Sequence, residues 1–163
     1  MNVIAIEDLP KDKIIEFFKL HWGSPEMVIS SGIYDCSTLD GFAVLNEEDK
    51  ITGLITYIIE NNECEIISLD SIEEGKGIGS LLVREVENLA VKKNCKLVKL
   101  VTTNDNLLAL KFYQKRGFIL SKIIKNAVEK ARKLKPEIPL TGNDGIPIID
   151  EIELVKGLKQ RKL

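Results

Sequence analysis

Apolar positions change their spacing along this chain, and each change predicts a change of element. Val3 to Ile6 reads as a short first strand. Beyond Pro10, the residues Ile14, Ile15, Phe17, Phe18 and Leu20 make a broad apolar helix face, which Gly23-Ser24-Pro25 ends. Residues 26–40 read as a loop with some strand around Met27 to Ser31. Gly41 to Leu45, Thr52 to Ile59 and Glu63 to Leu69 read as strands, joined by polar turns at 46–49 and 61–62. Strands joined by such short turns predict an antiparallel meander.

The period then lengthens. Ile78, Leu81, Leu82, Val86, Leu89 and Ala90 recur at helical spacing, with Arg84, Glu85, Glu87 and Lys92 mostly opposite them. Leu97 to Thr102 is a strand, and strand-helix-strand predicts a parallel pair with a right-handed crossover. Asn104 or Asp105 can cap a further helix that runs to about Arg116 and stops at Gly117. Phe118 to Ile124 reads as a strand and Asn126 to Leu134 as a helix. A Pro/Gly-rich loop at 135–145 leads to a last strand, Ile146 to Leu154, in which Ile148, Asp150, Ile152 and Leu154 alternate. The fold class expected is α/β with a mixed sheet, in one domain over residues 1–163.

Composition narrows the function classes. A net charge of -2 on 163 residues offers no overall field for nucleic acid. No apolar run approaches the roughly 20 residues that span a bilayer, and the start lacks a signal-peptide pattern. The expectation is a cytoplasmic protein with no membrane or nucleic-acid partner. Cys36, Cys64 and Cys95 are far apart, and His21 is the single histidine, so neither disulfide framework nor metal site is expected.

The segment Gly75-Lys76-Gly77-Ile78-Gly79 joins a strand to a helix. Glycine accepts positive φ and lets a ligand reach the backbone. Successive N–H groups there, with the helix N-terminus behind them, suit a phosphate or pyrophosphate. The spacing is not that of a P-loop, which needs GxxxxGK with Ser or Thr. It is not a dinucleotide fingerprint either, since Ser80 stands where the third glycine would fall. A glycine-rich turn with no ligand is the plain alternative.

In this order the pieces resemble the GNAT superfamily of N-acetyltransferases, over roughly residues 40–125. Glu65-Ile66-Ile67-Ser68-Leu69-Asp70-Ser71 is similar to the family's central strand, and residues 74–79 to its Q/R-x-x-G-x-G/A loop. Asn106 through Tyr113 is similar to its N-x-x-A…Y helix, and Lys115-Arg116-Gly117-Phe118 to its K-x-G-F ending. The chain departs from the pattern at Glu74, where the family favours Gln or Arg. It departs also in a shorter approach from Leu69 to Gly75, and in an insertion near 126–145 before the last strand.

The resemblance implies acetyl-CoA as co-substrate, in a cleft where a central parallel strand pair splays, and an amine of a small molecule or peptide as acceptor. Leu69 and Ser71 would hold the pantetheine arm through their main chain. Gly75, Lys76, Gly77, Ile78, Gly79 and Ser80 would hold the pyrophosphate. Asn106 would meet the pantetheine or phosphate end, and Tyr113 would lie near the sulfur. Dimers are common in the family, which adds a homodimer to the expectations.

Transfer to an amine needs a base for an ammonium of pKa about 10, an oxyanion donor and an acid for the thiolate. Glu65 is the first candidate base. Period-two alternation puts it on the strand face of Ile67 and Leu69. The Leu69 N–H is the oxyanion donor and Tyr113 the acid. Each has a plain alternative: Glu65 as a carboxylate paired or solvated at a sheet edge, Tyr113 as core, Asn106 as a helix cap. His21 is read as a surface or packing residue before it is read as an acceptor contact, and nothing near Cys36 in sequence makes it a nucleophile. The competing function from another class is an acyl-CoA-binding sensor or partner module without catalysis; a nucleotide-binding protein is a third.

Overall fold

A computed structural model describes residues 2–73 and 75–159. Glu74 and the end of the basic tail, residues 160–163, lie outside the described residues. In chain order the elements are β1 (Asn2–Ala5), α1 (Lys11–Trp22), β2 (Glu26–Ile29), β3 (Gly32–Asp35), β4 (Asp40–Leu45), β5 (Ile51–Glu60), β6 (Glu63–Ser71), α2 (Ile78–Lys92), β7 (Leu97–Thr103), α3 (Leu107–Lys115), β8 (Ile119–Ile124), α4 (Ala127–Leu134) and β9 (Glu151–Gly157). Short 3-10 turns lie at Ile6–Asp8, Cys36–Thr38 and Asn143–Gly145. Among the described residues no helix is long and apolar enough to cross a membrane.

The chain forms two compact units. Of the described residues, the first takes 2–26, 35–73, 75–98 and 157–159. Its strands pair antiparallel in the order β1-β4-β5-β6, the predicted meander with β1 added at one edge. The turn between β4 and β5 closes on Asn46, whose Oδ1 accepts from the N–H groups of Glu48 at 2.9 Å and Lys50 at 3.0 Å. α1 buries Ile14, Phe17 and Phe18 of its predicted face but leaves Leu20 80% exposed, and α2 buries Ile78, Leu82, Val86 and Ala90 of its predicted face together with Val83, which was not expected there.

The β5–β6 ladder contains a bulge. Thr56 pairs Ser68 but Tyr57 pairs Ile66, so Ile67 is an extra residue on β6. This overturns the predicted face of Glu65. Glu65 lies opposite Ile58, Ser68 opposite Thr56 and Asp70 opposite Leu54, and these three β5 residues alternate onto one face. Leu69 lies opposite Ile55, on the other face. Glu65 therefore shares its face with Ser68 and Asp70, not with Leu69.

The second unit takes residues 27–34 and 99–156. β2 and β3 form a two-stranded ribbon where the sequence predicted a loop with partial strand. Glu151, buried, ties that ribbon down by accepting from the Ser30 N–H at 3.2 Å. The remaining strands run in the order β7-β9-β8. α4 buries Ala127, Val128 and Ala131, whereas Leu134, expected on the same apolar face, is exposed.

The last strand begins at Glu151 rather than Ile146, because the backbone of residues 146–150 bonds other partners: the Ile148 N–H donates to the Leu140 carbonyl, and the Ile146 and Ile149 carbonyls accept from Gly142 and Val128. Asn104 Oδ1 accepts from the N–H groups of Ile149 at 2.9 Å and Asp150 at 3.0 Å, and its Nδ2 donates to the Pro147 carbonyl at 2.9 Å. Those backbone groups are thereby taken from a ladder, and Pro147 has no N–H to offer one.

Candidate active site

β6 delivers the first part of the site. The Ile72 N–H donates to the Thr52 carbonyl at 2.9 Å, which fixes the direction of alternate amides along this end of the strand. By the period of two, the Asp70 N–H also points toward β5, whereas the N–H groups of Leu69 and Ser71 point to the opposite edge. Their main-chain groups are thus turned away from β5, as a pairing with an extended ligand requires. Leu69 is half-buried and Ser71 exposed.

The turn after β6 is shaped by two left-handed glycines. Gly75 has φ +79° and Gly77 φ +74°, and a Cβ built at either would meet nothing within 4 Å. Gly77 is the N-cap of α2, and its carbonyl accepts from the Leu81 N–H at 3.0 Å. The amides of the first helical turn have no carbonyl one turn earlier to bond, so α2 presents N–H groups and a partial positive charge toward the open space over the glycines. Lys76 is exposed and pairs with Glu73 at 2.9 Å. That carboxylate, through its hydrogen bond first and its charge second, raises the Lys76 ammonium above its ordinary range.

The Glu65 face of the sheet carries a buried polar group of residues. Glu65 is 6% exposed and Thr56 and Ser68 less so, and the two hydroxyls bond each other at 2.5 Å. Cys36 sits against both. Burial pushes its thiol up to about 11, so it stays protonated at neutral pH and is no nucleophile. Asp70 Oδ1 accepts from Trp22 Nε1 at 3.0 Å, a contact joining residues 48 apart in sequence. Nothing local in the sequence signalled this link. Burial, the largest influence, raises the Asp70 carboxyl above its ordinary range, against the Trp22 hydrogen bond and the charge of His21.

The second unit holds Asn106 and Tyr113. Asn106, not Asn104 or Asp105, is the N-cap of α3: its Oδ1 accepts from the Ala109 N–H at 3.1 Å. The two expected caps are engaged elsewhere. Asn104 holds residues 147–150, while Asp105 accepts from Thr103 Oγ1 at 2.5 Å and from the Asn143 N–H at 2.9 Å. An Asn106→Ala variant is expected to lose about 1 kcal/mol of unfolding free energy in a denaturant titration. Tyr113 is buried, with its ring edge-on to Phe112 at 5.0 Å and to Phe118 at 5.4 Å between centroids. Gly117, at φ +93°, follows the helix as the predicted left-handed stop.

The model of the acetyltransferase (GNAT) family matches residues 11–118 of this chain. The protein YxbD of Bacillus subtilis (strain 168) is 57% identical over 159 residues, which are 98% of this chain and 100% of the relative. Among solved structures, an IAA acetyltransferase from Bacillus cereus ATCC 14579 superposes with a TM-score of 0.70 at 20% identity, over 96% of this chain and 100% of the other. A GNAT family acetyltransferase from Elizabethkingia anophelis, solved with acetyl-CoA bound, superposes with a TM-score of 0.65 at 24% identity, over 75% and 78%. The fold shared with them is mixed α/β, its strands mostly antiparallel with one parallel pair.

Proposed function

The chain belongs to the GNAT acetyltransferase family, and from that premise we propose that it transfers the acetyl group of acetyl-CoA to a primary amine of a small molecule or peptide. The observation that carries this reading is the turn at Gly75 and Gly77. Two positive-φ glycines leave open space at the start of α2, directly after a strand whose Leu69 and Ser71 amides turn away from β5. A pyrophosphate suits the first feature and an extended pantetheine the second. Acetyl-CoA carries both groups in one molecule.

In this mechanism the N–H groups from Gly75 to Ser80 bind the pyrophosphate, and Lys76 exchanges Glu73 for a phosphate oxygen. Leu69 and Ser71 pair with the pantetheine arm. Asn106 spends Oδ1 on its helix, so its contact with the arm is made by Nδ2. The amine gives a proton to Glu65, directly or through a water, and its lone pair attacks the thioester carbonyl. The oxyanion draws on the Leu69 N–H. The C–S bond breaks with its pair going to sulfur, Tyr113 protonates the thiolate, and the nitrogen's second surplus proton restores the tyrosine. One proton is released per turnover.

The direct experiment is a thiol-release assay with acetyl-CoA against polyamines, aminoglycosides, amino acids and peptides. Amine-dependent release is expected with at least one class. Acetyl-CoA binding with no release for any amine would favour a sensor module instead. A Glu65→Gln variant is expected to lower kcat about 100-fold at neutral pH with acetyl-CoA affinity unchanged. An unchanged kcat would take the base assignment away from Glu65.

A further inference from the structure

β8 stays apolar where a sheet edge is usually blunted. It ends the order β7-β9-β8, and among the described residues no strand pairs with its far side. Five of its six residues are exposed. Three of those are large and apolar: Ile119 at 67%, Leu120 at 53% and Ile123 at 63%. An apolar edge with open N–H and C=O groups is a template for a further strand. The opposite edge, β1, has four residues and exposes Asn2 alone. Lys122 is the one charge in β8, and it leans back on Glu153 of β9 at 3.9 Å. The ladder to β9 decides what can pair with the open side. Leu120 lies opposite Leu154 and Lys122 opposite Glu153, so Ser121 is an extra residue, a bulge. In an antiparallel ladder every second residue turns its N–H and C=O away from the neighbour. The bulge interrupts that count. Ile119, Lys122 and Ile124 therefore form one set, and Leu120 and Ile123 the other.

We propose that β8 joins two copies of this chain edge to edge, antiparallel about a two-fold axis between Ser121 and Lys122. In that register Ile119 of one copy faces Ile124 of the other, and Leu120 faces Ile123. Each pair draws both members from one set, so their main-chain groups meet, and alternation puts each pair on one face of the joined sheet. Ser121 faces Lys122, which keeps the two lysines from opposing each other. A shift of one residue either way opposes unlike sets, and in one direction it sets lysine against lysine. A two-fold interface must be complementary to itself, and β8 meets that condition. A second copy always brings these matched pairs, whereas an unrelated strand brings them only by coincidence. Six residues a side fall short of the roughly 20–30 of a standard interface, so the dimer dissociates in the micromolar range. The interface does not depend on the acetyl-transfer reading and stands or falls without it.

Sedimentation equilibrium of the full chain over a concentration series tests this. Wild type is expected to pass from monomer to dimer as its concentration rises through the micromolar range. Leu120→Lys and Ile123→Glu each set a charge against an apolar partner at two places in the dimer, and each should raise the dissociation constant at least ~10-fold. Combined in one chain, the two changes oppose a lysine to a glutamate twice across the axis, and the dissociation constant should return to within ~3-fold of wild type. Both side chains are exposed, so melting temperatures in dilute solution should stay near that of wild type. Hydrogen exchange gives a second reading. Amides of residues 119–124 should gain protection when wild type is concentrated, and not when either single variant is. Wild type that stays monomeric throughout the micromolar range would overturn the proposal, and protected amides in that monomer would show the edge covered within one copy. A dimer unmoved by the single variants would lie elsewhere on the surface and overturn it as well. A double variant that dimerises no better than the singles would overturn the register, and the proposal with it.

Discussion

A Gly77→Asp substitution is expected to weaken acetyl-CoA binding more than 100-fold while the protein stays folded. Gly77 has φ +74°, and a Cβ there meets nothing within 4 Å, so the side chain enters open space rather than the core. Aspartate is among the residues that tolerate this backbone region, at a cost of about 1 kcal/mol relative to glycine. A carboxylate at a helix N-terminus recovers part of that cost. What it cannot share is the anion site. Two unit charges about 4 Å apart repel by roughly 4 kcal/mol near a protein surface, and a 100-fold loss needs only about 2.7 kcal/mol. Gly77→Asn, similar in size without the charge, should lose about tenfold. Calorimetric titration of both variants separates charge from bulk, and an unchanged affinity in Gly77→Asp would remove the glycine turn from the donor site.

The second large effect is expected at Tyr113. Replacing it with Phe keeps the ring that packs edge-on against Phe112 and Phe118 and deletes only the hydroxyl. General-acid assistance is worth about 100-fold or more, so kcat should fall by that factor while the acetyl-CoA dissociation constant moves little. The melting temperature decides between chemistry and packing. A kcat loss at near-constant stability supports the acid. A stability loss with kcat unchanged would leave Tyr113 as a core residue of α3.

The elements were legible in the sequence wherever one face is consistently buried. α1, α2 and α4 carry their apolar residues at helical spacing, and the β4–β5–β6 meander is marked by polar turns between apolar runs. The glycine turn was legible because residue type dictates its backbone, and the structure gives Gly75 and Gly77 positive φ. The misses arose where a distant partner decides. Nothing in Glu65-Ile66-Ile67-Ser68 says which residue will be extra on β6, since both isoleucines suit either face; the register with Tyr57 and Thr56 settles it. The cap of α3 went to Asn106 because Asn104 and Asp105 are drawn to residues 143–150. The last strand is shorter for a like reason, since the backbone of residues 146–150 bonds partners outside a ladder. The Trp22–Asp70 hydrogen bond was not legible because its two partners lie on different elements, 48 residues apart.

The most direct test of acetyl transfer uses acetyl-CoA labelled in its acetyl carbon, incubated with the protein and the amine that releases most thiol. The expected result is one labelled amide formed per CoA released, with both absent in Gly77→Asp at the same acetyl-CoA concentration. Saturable binding of acetyl-CoA with no label reaching nitrogen, for any amine offered, would contradict the account.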